Sequence, residues 1–238
     1  SVLYEKEGMN WRYMAMDSTG YKIVAVTYPA SAGVSPVYIS FDKGSSWQKA
    51  KDTNGNALKD ASWDHVAMSS DGSVVVASMN DGSIRSEYWK SVDGGQSFKR
   101  NFAKNMQTVA LDSTGSKLFL GVSDPSSCRL RVMAVDSWQE TNVGTTMATA
   151  LKRLSVYKWK GGTGMSTDGK TLVVMVNKDE YVYVSKNFGK TWTRRNLGGT
   201  SMDYDVLHNG IHVTPNGETI HVTLKEKMFV SKNSGESF

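Results

Sequence analysis

The stretch Ser40-Phe41-Asp42-Lys43-Gly44-Ser45-Ser46-Trp47 decides how this chain is read. A strand that ends on serine, turns through Asp and Gly and reopens on an aromatic describes a β-hairpin. The stretch returns as Ser91-Val92-Asp93-Gly94-Gly95-Gln96-Ser97-Phe98, as Ser185-Lys186-Asn187-Phe188-Gly189-Lys190-Thr191-Trp192 and as Ser231-Lys232-Asn233-Ser234-Gly235-Glu236-Ser237-Phe238. The serines stand 51, 94 and 46 residues apart, and 94 is twice 47. A further copy is therefore expected near residue 134. There Ala134-Val135-Asp136-Ser137-Trp138 keeps the Asp and the Trp in shortened form.

A second marker precedes the first in each unit. It reads Met14-Ala15-Met16-Asp17-Ser18-Thr19-Gly20 and returns before Gly72, Gly115, Gly169 and Gly217, in steps of 52, 43, 54 and 48 residues. A β-branched or apolar run follows each turn, such as Ile23-Val24-Ala25-Val26 and Leu172-Val173-Val174. Apolar run, glycine turn and apolar run make another hairpin. Two hairpins per unit give four strands. Four-stranded units at this period are propeller blades, and the β-branched runs exclude helical repeats of similar length. The sequence thus predicts an all-β, five-bladed β-propeller of four-stranded antiparallel blades, filling residues 1–238 as one domain. The fifth unit reaches Phe238 with three strands, and Ser1–Glu7 forms a surplus strand. The N-terminal strand is expected to complete the last blade and close the ring.

Composition narrows the classes. The chain has 238 residues, 22 Gly, 4 Pro, 39% hydrophobic and 21% charged residues, which excludes collagen, a long disordered tail and a coiled coil. No apolar run approaches the length of a membrane-spanning helix. A single cysteine, Cys128, excludes an internal disulfide. Ser1–Gly8 does not read as a signal peptide. The net charge of +5 is spread along the chain, so no nucleic-acid partner is expected.

The Ser-x-Asp-x-Gly-x-x-Trp pattern resembles the Asp-box (BNR) repeat of sialidases, sortilin-type receptors, xyloglucanase-type glycosidases and photosystem II assembly factors. The resemblance implies that the box is a structural turn far from the active face. Ser40, Asp42, Gly44 and Trp47 would then be structural, as would Ser91, Asp93, Gly95 and Phe98. So would Ser185, Asn187, Gly189 and Trp192, and Ser231, Asn233, Gly235 and Phe238. The sialidase arginine triad, Tyr–Glu pair and acid have no counterpart here, so no catalytic residue is assigned. An extracellular or lumenal setting is the one the resemblance favours.

Function is expected on the face away from the boxes. Insertions vary in length there, at 28–36, 80–85, 124–129 and Gln139–Lys158, and variable loops on a rigid scaffold are where binding usually resides. Trp11, Trp63 and Trp159 recur at the entry of the first strands, and Trp rings stack on sugars and cations. The competing reading is that these rings pack between blades. Tyr204, His208 and Arg85 extend the candidate surface. The leading expectation is a non-catalytic, lectin-like or protein-docking surface whose partner is a glycan or a protein. The rivals are a glycoside hydrolase or lyase, with Asp60, Asp64, Glu87, Asp203 and Asp205 as carboxylates, and a scaffold factor in a larger complex. No cofactor is implied. A turn at Asn216-Gly217 would set His212 opposite His221, but no third ligand is evident, so no metal site is assigned.

Overall fold

A computed structural model describes residues 9–29, 35–79, 85–104, 106–122, 129–134, 140–142, 163–175, 181–197, 210–224 and 227–238. The expected shortened box at 135–138, the strand Ser1–Glu7 and most of the insertions lie outside these residues. The chain divides into two units, Ser1–Gly115 and Ser116–Phe238. Every regular element among the described residues is a β-strand.

The first unit holds two complete sheets. One is β1 (Met9–Met16), β2 (Ile23–Pro29), β3 (Val37–Ser40) and β4 (Gln48–Lys49), hydrogen-bonded in that order. The other is β5 (Trp63–Met68), β6 (Val75–Met79), β7 (Arg85–Ser91) and β8 (Lys99–Lys104), again in sequence order. β9 (Met106–Leu111) opens the third repeat. In the second unit β10 (Lys117–Val122), β11 (Arg129–Ala134) and β12 (Glu140–Asn142) pair antiparallel in turn. β12 falls inside Gln139–Lys158, so part of that expected link is the fourth strand of the third repeat. β13 (Thr163–Met165), β14 (Leu172–Met175), β15 (Tyr181–Ser185) and β16 (Thr193–Asn196) form a four-stranded sheet, and β17 (Ile211–Val213), β18 (Ile220–Leu224) and β19 (Lys227–Ser231) a three-stranded one.

In the first and fourth repeats, burial falls from the middle of the sheet to its outer edge. Val24, Ala25 and Val26 are buried consecutively on β2, as are Val173 and Val174 on β14. Consecutive burial means that both faces of the strand are covered, which is why these runs are continuously apolar rather than alternating. The fourth strands β4 and β16 are mostly exposed and carry Lys49 and Arg194. Charges there protect an outer edge against pairing with another chain.

The four Ser-x-Asp/Asn turns share one hydrogen-bond set. The serine Oγ accepts the glycine N–H four residues on, at 2.8 Å (Gly44 to Ser40), 2.7 Å (Gly95 to Ser91), 2.8 Å (Gly189 to Ser185) and 2.8 Å (Gly235 to Ser231). The same hydroxyl donates to Asp42, Asp93, Asn187 or Asn233. That side chain accepts the backbone N–H four residues further on, from Ser46, Ser97, Thr191 or Ser237. The last bond shows why Asp and Asn interchange. The Ser46 and Ser97 hydroxyls donate to the second carboxylate oxygen, whereas in the Asn turns Nδ2 donates to the hydroxyl of Thr191 or Ser237. A rotating hydroxyl serves either partner. Trp47 and Trp192 fold back so that Nε1 donates to the carbonyls of Gly44 and Gly189.

Glycines set how closely repeats approach within each unit. Gly95 has φ +90°, and a Cβ there would collide with Ile39 Cδ1 of the first sheet. Gly235 has φ +79°, and its Cβ would lie 2.8 Å from Val184 Cγ2. Backbone bonds add to this contact: the Ser18 N–H donates to the Ser70 carbonyl, that of Ser70 to Ser113, and that of Thr167 to Pro215. Within each unit, the first turns of neighbouring repeats are thus stitched together.

Two measurements follow. Gly55 has φ +82° with open space around its Cβ position, so Gly55→Ala carries backbone strain alone and costs about 1 kcal/mol in urea denaturation. Gly95→Ala adds overpacking against Ile39 and costs about 2–4 kcal/mol. Equal losses at the two sites would contradict the close-approach role. Acid titration checks the turns. Bonds from the Ser46 hydroxyl and amide and the Ser40 hydroxyl hold the Asp42 carboxyl below its ordinary value. For Asp93 burial pushes upward, but bonds from Ser91 and Ser97 outweigh it. Both groups are lowered on folding, so their stabilisation is present above the unfolded carboxylate range and is lost as pH falls through the folded value. A double Asp42→Asn, Asp93→Asn variant keeps the turns and loses less stability than wild type as pH drops below about 4. An unchanged acid profile would contradict this.

Candidate functional site

The first strands of the first two repeats share a local irregularity. β1 and β2 slip register between Trp11 and Tyr13, and β5 and β6 slip between Trp63 and His65. A bulge re-aims the side chains on either side of it. In both repeats it stands between a tryptophan and a second ring. The second rings meet: Tyr13 and His65 stack at 4.7 Å between centroids, and the Arg12 guanidinium lies 5.3 Å from the Tyr13 ring.

The two tryptophans have different fates. Trp11 packs against Tyr38 and Trp47, at 5.7 and 5.3 Å between centroids, and stays 38% exposed. Trp63 is fully buried, in a cluster with Val24, Val26, Val37, Met79 and Phe98. Residues 50–62, which join the first two sheets, cover it: Ala50, Leu58 and Ala61 belong to the same cluster. Backbone bonds hold this link, with the Ala50 N–H donating to Val37, Leu58 to Ala50, and Phe98 to Lys51. A ring with no exposed face does not stack on a ligand, so Trp63 is a core residue and the expectation of a rim tryptophan there is corrected. Ala50, Leu58 and Ala61 were the signal in the sequence for that covering layer.

The other expected contacts are not brought together with Trp11. Trp159, Tyr204 and His208 lie outside the described residues. Arg85 starts β7, where its Cα pairs with Lys104. Of the five candidate carboxylates, Asp60 lies 3.7 Å from Lys49 Nζ, and Glu87 Oε2 lies 3.0 Å from Lys59 Nζ. Asp203 and Asp205 lie outside the described residues, and Asp64 stands on β5. Glu87 is largely buried beside Trp89 on the strand that packs toward the Trp63 cluster.

Four buried polar atoms accept or donate no hydrogen bond among the described residues: Trp63 Nε1, His65 Nδ1, Trp89 Nε1 and Glu87 Oε2. For Glu87 the Lys59 ammonium supplies the charge partner. The His65 imidazole lacks such compensation. Burial, with the Arg12 charge behind it, pulls its pKa down to about 4. His65 is therefore neutral at neutral pH and acts as a stacking ring, not as a proton donor. No group of three or more His, Cys, Asp or Glu comes together among the described residues.

No family model matches this chain, and no curated protein matches it. Solved structures do match in fold. The chain is similar to a crystal structure of a nidogen/laminin complex, with TM-score 0.64 and 10% identity over 98% of this chain and 80% of that one. It is also similar to TolB from Acinetobacter baumannii, with TM-score 0.65 and 11% identity over 95% and 53%. A third match is a GH74 enzyme from Niastella koreensis, with TM-score 0.52 and 13% identity over 96% and 46%. The chain spans about half the length of the latter two, both of which are β-propellers. At identities this low the likeness shows the fold alone, an all-β propeller arrangement.

The lowered value for His65 gives a pH prediction. A histidine whose pKa falls on folding contributes stability that is present above its unfolded value, about 6.5, and is lost as pH falls toward about 4. His65→Phe keeps a ring against Tyr13 and removes an unpartnered buried nitrogen, so it is neutral or stabilising at pH 7. It also flattens the stability slope between about pH 6.5 and 4. A variant that melts well below wild type at pH 7 would contradict this reading.

Proposed function

We propose that this chain is a non-catalytic recognition propeller that binds a protein or glycan on the loop-rich ends of its sheets. One observation carries the reading. The polar side chains of the repeated turns are spent inside those turns: Asp42, Asp93, Asn187 and Asn233 each bond within their own turn. That leaves the connections that vary in length between repeats, together with the 38% exposed Trp11 ring, as the candidate contacts. The nidogen/laminin structure supports the protein-docking form of the proposal, since that neighbour is itself part of a protein complex. Trp159, Tyr204, His208 and Arg85 belong to the same proposed surface.

The proposal includes five blades of the Asp-box type in one domain, 1–238, with Ser1–Glu7 as the outer strand of the last blade. Its support is the repeat spacing in the sequence, together with the three-stranded sheet β17-β18-β19 found among the described residues.

Glycan-array binding and a reducing-sugar assay on the same preparation test the function. The expected result is binding without sugar release, weakened about tenfold or more by Trp11→Ala, with a smaller loss of melting temperature than Trp63→Ala causes. Trp63→Ala instead costs about 3–5 kcal/mol of stability, as expected for a buried ring. Sugar release would replace the proposal with a glycosidase reading. Full binding by Trp11→Ala would remove Trp11 from the site.

A further inference from the structure

His212 on β17 and His221 on β18 stand directly opposite each other. Their chain neighbours Ile211, Val213, Ile220 and Val222 turn into the core of the second unit. Strand alternation therefore puts both imidazoles on the opposite face. The rings lie 5.8 Å apart between centroids, 43° between planes. His212 is exposed and His221 half-buried. Neither imidazole is engaged in a hydrogen bond or ion pair with a described residue.

The pair departs from the repeat. The same register position holds Ala15 opposite Val24, Ala67 opposite Val76, and Gly164 opposite Val173. Small and apolar pairs at this position serve packing. Two imidazoles do not, and their nitrogens stay uncommitted. The neighbouring hydroxyl on this face, Thr223 Oγ1, is occupied with the backbone N–H and carbonyl of Gly210.

We infer that His212 and His221 chelate one borderline divalent transition-metal ion, Cu²⁺ ahead of Ni²⁺ and Zn²⁺. Two imidazoles bound at ~2.0–2.1 Å at angles between square-planar and tetrahedral hold their ring centres roughly 4.5–5 Å apart, so side-chain rotations suffice. Imidazole suits Cu, Ni and Zn, whereas Ca²⁺ and Mg²⁺ require oxygen ligands, and affinity among the former rises to Cu²⁺. The protein supplies two nitrogens, and water completes the coordination shell. The hairpin pre-sets the pair, since the bonds from Thr214 N–H to Thr219 and Gly217 N–H to Thr214 fix the turn that joins the strands.

The test uses tag-free protein in a Cys128→Ser background, which removes the one thiol. Cu²⁺ and Zn²⁺ are titrated calorimetrically with Mg²⁺ as control, and nitrogen couplings are read by electron paramagnetic resonance on the Cu²⁺ form. One equivalent of Cu²⁺ is expected to bind through two imidazoles. His212→Ala and His221→Ala each weaken it by about tenfold or more and leave one imidazole coupling. Binding no stronger than that of Mg²⁺, or unchanged affinity in either variant, overturns the inference. Should an alanine variant melt early, the wild-type spectrum decides: fewer than two coupled imidazoles overturns it.

Discussion

The structure depends on a buried serine hydroxyl used twice. At Ser40, Ser91, Ser185 and Ser231 the hydroxyl is sealed from water, accepts a glycine N–H and donates to Asp or Asn. A buried hydroxyl with no partner would cost several times what a satisfied one contributes. Each of the four serines is therefore given both partners. The glycine it fixes sits in the left-handed region, where side chains are strained. That glycine is also where one repeat meets its neighbour, as Gly95 meets Ile39 and Gly235 meets Val184. One local bond set thus governs both the hairpin and the spacing between sheets.

The same geometry separates scaffold from function. Side chains committed to the turns are unavailable for ligand chemistry. The dry clusters around Trp63 and around Val173 hold the sheets face to face within each unit. What remains for the proposed recognition is the set of connections that differ in length from repeat to repeat, and the exceptions to the repeat. Trp11 is one exception, half-open where its counterpart is sealed. The His212–His221 pair is another.

Much of the fold was legible because it is written locally. The hairpins, the four-strand order and the exposed Lys99, Arg100 and Arg194 on fourth strands all follow from turn chemistry and alternation. The His212–His221 register was legible too, although the turn uses four residues rather than two, with Gly217 N–H bonding back to Thr214. The candidate site was less legible. Trp11 and Trp63 hold equivalent positions in the repeat, yet their exposure depends on what the preceding link does. Residues 50–62 bury Trp63 through Leu58 and Ala61, a tertiary contact that no repeat pattern encodes. The stacking of Tyr13 on His65 was likewise hidden, since a bulge in each strand is what turns those rings toward each other.

Native-state hydrogen exchange at the amides of Gly44, Gly95, Gly189 and Gly235 tests the central claim most directly. Each donates to a buried serine hydroxyl rather than to a strand partner. If these turns are the structural constraint, the four amides exchange only on unfolding of the sheets that carry them, as slowly as the central-strand amides of Val75 and Val173. Exchange at loop rates, while those central amides stay protected, would contradict it.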